Sequence, residues 1–105
     1  MTMNTRFIDA EAKMRSDQEG LDIYMAAIEA VYNARLDGQS SGKHSPESWQ
    51  EENIENQVTH ASDHAYNFLS MFQEPEHYPF NLKEAEHALC RLAIAIALYK
   101  RQEKN

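Results

Sequence analysis

Two short acidic strings are the first candidates for chemistry in this chain. Glu51 to Glu55, EENIE, is followed after 28 residues by Glu84 to His87, EAEH. Several carboxylates converging on one magnesium or manganese ion would let that ion neutralise phosphate oxygens and activate water. Glu52, Glu55 and Glu84 are therefore the candidate catalytic acids. The plainer reading is that each string is a solvated acidic first turn, favoured by the macrodipole of the helix it opens.

A second constellation is His60, Asp63 and His64. His60 and His64 stand one turn apart on the same side of a helix, a spacing that can hold a transition metal. Their H-x-x-D-H order loosely resembles inverted zinc-protease motifs, with Asp where the catalytic Glu belongs. Counted across a symmetric hairpin, His64 falls near Arg91 and His87 near Phe68, so His87 approaches the same region. The full set of candidate metal ligands is Glu55, His60, Asp63, His64, Glu84 and His87. Half-buried, hydrogen-bonded imidazoles beside an apolar stripe are the commoner use of such residues. Trp49, His60, His64 and Met71 also share one side of the same helix and, with His87, make a candidate binding surface, although a stripe at helical spacing more often means packing. No Gly-rich phosphate loop, nucleophile elbow or Cys/His zinc spacing is present.

The elements that must position these groups are helices. Leu82 to Arg101 holds the densest apolar run, and from Leu92 to Tyr99 it is apolar all round, so it is expected to be buried on more than one face. Asn81 can cap it, Glu84 can reach back as a capping box, and Lys100 and Arg101 suit its last turn. Leu89 and Leu92 are expected core residues. Ser45-Pro46 is a good helix start, and the stripe Ile54, Val58, Ala61, Ala65, Phe68, Leu69 and Phe72 carries that helix to about Gln73. Two prolines in EPEHYPFN then turn the chain back, giving a long antiparallel hairpin over about 46–73 and 82–102. In that topology Glu52 and Glu55 lie at the opposite end from Glu84. A further helix is expected at about 17–37, opened by a Ser16/Glu19 capping box and stopped near Asp37-Gly38. The Gly/Ser-rich GQSSGKHS that follows reads as a surface loop. Residues 1–15 read as a short helix or an N-terminal arm, and 16–105 as a single helical domain. The fold class is all-α, a small helical bundle.

Composition narrows the function classes. A formal net charge of -7 argues against general affinity for nucleic acid phosphates, which rests on clustered Lys and Arg. No apolar run approaches the roughly 20 residues that span a bilayer, so a soluble, cytoplasmic protein is expected. The single cysteine, Cys90, falls in the most apolar helix and reads as a small buried hydrophobe. A three-helix monomer cannot cover a helix that is apolar on all sides. Ile94 or Leu98 left outside would form an exposed patch, so a homo-oligomer through 82–101 is expected.

The paired acidic strings resemble those of the all-helical nucleoside triphosphate pyrophosphohydrolases. More of the chain, about residues 45–100, resembles the N-terminal domain of the phage dATP/dGTP diphosphohydrolase family: Trp49, then His64 followed by AYNFLSMFQE, then HALCRLAIAIALY from His87. In that family a tryptophan precedes a helix bearing a histidine, and an acidic loop leads to a closing helix of the form H-A-L-x-x-L. The family's acidic D-x-E-S-G-like turn is here EHYPFN, and Glu84 stands where a histidine would precede His87 by three. The resemblance implies a phage setting, with Glu74, Glu84, His64 and His87 as the positions to test. Two functions follow as expectations. The first is a small acidic phage-type accessory protein that works by binding, either inhibiting a host protein or sequestering a small nucleotide, without a cofactor. The second is a metal-dependent (deoxy)nucleoside triphosphate diphosphohydrolase using Mg or Mn.

Overall fold

The computed structural model describes residues 18–104, and the side-chain surroundings of residues 20–103. The expectations for residues 1–15 and for the Ser16/Glu19 capping box lie outside the described residues. Among those residues the chain forms three α-helices, α1 (Gln18–Ser40), α2 (Ile54–Gln73) and α3 (Leu82–Lys104), with one 3-10 turn at Ser48–Glu51 and no strand. The protein is thus an all-α bundle built on the α2/α3 hairpin, with α1 laid along α3. None of the described helices is long and apolar enough to cross a membrane.

Each helix boundary has a local cause. α1 runs past Gly38 to Ser40 rather than stopping at Asp37-Gly38. The left-handed position is Gly42, at φ 76°, while Gly38 is helical and lies against the His44 ring, where an added Cβ would stand 3.1 Å from Cδ2. Absence of a side chain at Gly38 therefore serves close packing of the loop onto α1, and the stop falls one turn later. α2 begins at Ile54, not at Pro46. Asn53 is extended, at φ -98° and ψ 132°, and its side chain accepts the Asn56 amide N–H at 3.1 Å. Upstream, Arg35 Nη2 donates to the Pro46 carbonyl at 2.8 Å, which ties this segment to α1 and away from the α2 axis. The shorter α2 spans about 30 Å instead of about 40 Å. At α3, Asn81 Oδ1 accepts the Lys83 N–H at 3.1 Å, as a cap should. The Glu84 side chain does not complete a capping box; it turns across to α2.

The hairpin register differs from a symmetric count. Gln57 pairs with Arg91, and His64 with Glu84 rather than lying level with Arg91. The connection after Gln73 folds back so that Met71 Sδ accepts the Asn81 N–H at 3.2 Å. α3 therefore starts well back along α2.

Burial departs further from expectation. The side of α2 that meets α3 carries Gln57, Ala61, His64, Phe68 and Met71, not the large apolar stripe, and Gln57 is completely buried. Its amide is satisfied at both ends: Nε2 donates to Glu52 Oε2 at 3.1 Å, and Oε1 accepts from Arg91 Nη1 at 3.1 Å. The apposed side of α3 carries Glu84, Ala88, Arg91, Ala95 and Leu98. Small residues at Ala61, Ala88 and Ala95 let the backbones approach. Two placements thus reverse. Leu98 is buried and Ile94 partly buried, whereas Leu89 and Leu92, expected in the core, are 38% and 43% exposed.

Candidate functional site: a cleft between helix 1, the loop and helix 3

The C-terminal half of α1, the 41–52 segment and the middle of α3 enclose a cleft of about 320 Å³. Arg35 and Asp37 enter from α1, Lys43, His44 and Trp49 from the segment, and His87 and Arg91 from α3. α1 is held to α3 by Asn33 Nδ2 donating to Glu86 Oε2 at 2.9 Å and by Asp37 Oδ2, 3.0 Å from His87 Nε2. Lys83 Nζ adds a longer contact of 3.5 Å to Asp37 Oδ1. The Trp49 ring is backed by Arg101, whose guanidinium carbon is 5.7 Å from the ring centroid, a cation–π distance.

Two carboxylate–imidazole pairs meet at one wall. Besides Asp37–His87, His64 Nδ1 lies 2.7 Å from Glu84 Oε2, and the same oxygen accepts from Asn67 Nδ2 at 3.3 Å. The His64 and His87 rings are 5.4 Å apart, tilted by 34°. The hydrogen bond from His87, helped by the Lys83 charge, lowers the Asp37 carboxyl from its ordinary value. Partial burial raises the Glu84 carboxyl, but hydrogen bonds from His64 and Asn67 outweigh it, and the net direction is also down. Both acids are thereby held ionised, and each fixes one ring nitrogen of its histidine. Burial pushes the Cys90 thiol up, so it is a packing group at the cleft floor rather than a nucleophile.

The candidate residues separate into three groups. His64, Glu84 and His87 come together, and Trp49 and Glu52 line the same cleft. Trp49 does so from the 3-10 turn, not from the face of α2 that carries His60. Glu55, His60 and Asp63 are exposed on α2, and Met71 is buried instead of surface-forming. Glu52 bonds to Gln57, about 10 Å along α2 from the His64 level where Glu84 sits, so the two acidic strings do not converge. Among the described residues no three His, Cys, Asp or Glu side chains are arranged to hold one ion.

Arg35, Asp37 and Arg91 of the cleft, and Gln57 behind Arg91, are not legible as site residues. Each acts through partners far along the chain, Asp37 through His87 and Gln57 through Arg91, and no local motif marks them. Compared with protein families, curated proteins and solved structures, the chain matches none.

Proposed function

We propose that the protein is a small acidic accessory protein that binds a nucleotide in this cleft. One observation carries the reading: in a chain of net charge -7, three of the ten Lys and Arg residues, Arg35, Lys43 and Arg91, line one cleft with its only tryptophan, whose ring a fourth, Arg101, backs. An acidic chain that concentrates its cations in a concave site favours an anionic ligand there. Arg is the residue suited to phosphate oxygens, and an indole face suits a base. The cleft volume lies at the lower end of the roughly 300–1000 Å³ range of small-molecule sites. In this reading Trp49 stacks on the base and Lys43 and Arg91 meet the phosphates. The carboxylate-oriented His64 and His87 present their other ring nitrogens to the ligand, and Asp37 and Glu52 accept from base or sugar donors.

Calorimetric titration of the full chain with the common ribo- and deoxynucleoside triphosphates, at low salt and without metal, tests the proposal. One or more should bind, with Trp49 fluorescence changing at the same stoichiometry. Trp49→Ala and Arg91→Ala should each weaken binding by roughly tenfold or more. Absence of binding by every nucleotide would refute it. Chromatography of the same mixtures with Mg or Mn added distinguishes sequestration, where the nucleotide is returned intact, from diphosphohydrolysis, where monophosphate and pyrophosphate appear and binding alone is not the function.

A further inference from the structure

The side of the hairpin turned away from α1 is apolar, and none of the other described helices covers it. At about 100° per residue, Leu89, Leu92, Ile96 and Tyr99 fall on one line of α3, roughly 100° around from the line that meets α2. They are 38%, 43%, 57% and 56% exposed. The residues that hold α1, Glu86 and His87, lie on the other side of α3. On α2 the corresponding free line is Val58, Leu69 and Phe72, also about half exposed. Because α2 runs antiparallel to α3, these two lines face the same way. Phe80 extends the face at the loop end, with its ring 6.1 Å from that of Phe72.

We infer that this face is where a second copy of the chain docks, hairpin against hairpin across a twofold axis, forming a four-helix core. Three features of the molecule choose that occupant. Charge is absent from the face between Leu82 and Tyr99 on α3 and between Val58 and Phe72 on α2. A foreign partner of opposite charge would have no groups here to pair with, while two copies of charge -7 can meet on it with their charges kept outside. The area also fits: the seven side chains on the two lines expose roughly 700 Å² per copy, close to the ~800 Å² per partner of a standard interface. Finally, among the described residues the buried apolar ones are Ala34, Ala61, Met71, Ala88, Cys90, Ala95 and Leu98, mostly small. A chain that keeps its large apolar groups outside needs a cover present wherever it folds, and another copy always is. The 4-3-4-3 spacing of Ala85, Leu89, Leu92, Ile96 and Tyr99 supplies ridges that pack into themselves at bundle angles. α1 also turns Leu21, Met25, Ile28 and Tyr32 outward, but that stripe is one helix wide.

Sedimentation velocity and light scattering of the full chain at tens of micromolar should give one species of twice the 12.1 kDa chain mass. Leu92→Glu should weaken association by roughly 100-fold or more, since a carboxylate would be buried without a partner. To guard against a variant that fails to fold, Ile96→Cys and Met25→Cys are oxidised in parallel in a Cys90→Ser background, with helicity followed by circular dichroism. Ile96→Cys should form a covalent dimer and Met25→Cys should not. A folded 12.1 kDa monomer would overturn the inference. So would open-ended growth with concentration, or cross-linking through Met25→Cys instead of Ile96→Cys, both of which require a different face.

Discussion

The two sides of the α2/α3 hairpin invert the usual distribution of polarity. The seam between the helices holds Gln57, His64, Glu84 and Arg91 among alanines, with Phe68, Met71 and Leu98 its larger apolar members, whereas the outer side carries leucine, isoleucine, phenylalanine and tyrosine. A buried polar seam is tolerated because its partners are built in: among the described residues no buried side-chain nitrogen or oxygen lacks a hydrogen bond. An exposed apolar side is tolerated only if something covers it. The seam therefore specifies how one chain folds and where its cleft lies, and the outer face is the surface proposed for assembly. Hydrophobicity and burial diverge on this hairpin, and the proposed second copy would account for the divergence by covering the outer face.

The seam offers the largest test of this contrast. Gln57→Leu keeps the volume but strips Arg91 and Glu52 of their shared amide, so unfolding in denaturant should show a loss of about 2–4 kcal/mol at every protein concentration. A neutral result would mean that the seam does not specify the fold. On the outer face, Leu92→Ala should cost about 2 kcal/mol at high concentration and much less as the sample is diluted. Equal loss at all concentrations would place Leu92 in the core of the single chain. Glu84→Gln is smaller, about 1 kcal/mol, because the hydrogen bonds from His64 and Asn67 lose their charge assistance.

Acid should act on the seam and on the α1 contact together. Glu84 and Asp37 both have folded-state values below their ordinary ones. Their contribution is fully present above the ordinary carboxylate values, near pH 4, and is lost as pH falls through the lowered values. Thermal melts between pH 6 and pH 2 should therefore show a stability drop beginning near pH 4, with a shallower drop in Glu84→Gln. An unchanged acid slope in that variant would mean that the His64–Glu84 pair is not formed in solution.

Much of the fold is readable from the chain. The proline-bearing turn after Gln73 and the cap at Asn81 set the hairpin, and α1 is visible from its apolar periodicity. The start of α2 was obscured because Ser45-Pro46 and Asn53 are both sound helix-opening signals, and only the Arg35–Pro46 contact decides between them. The buried faces differ from those that periodicity implies, for a physical reason. Periodicity arguments point the largest apolar residues inward, and here Leu89 and Leu92 point out while Gln57 points in. The two acidic strings and Trp49 were visible as residues, but the cleft depends on pairs such as Asp37–His87, fifty positions apart, and on a register set by how Met71 receives Asn81.

If ligand and partner use opposite sides of this hairpin, as proposed, amide and methyl NMR of the full chain should separate them under two perturbations. Adding a nucleoside triphosphate should shift the Trp49 indole and resonances of Gly38, His87 and Arg91, leaving the Leu92 and Ile96 methyls in place. Dilution through the dissociation range should move Leu89, Leu92, Ile96 and Val58 and leave the cleft untouched. Nucleotide-induced shifts centred on Leu92 and Ile96, or a spectrum indifferent to dilution, would contradict that proposal.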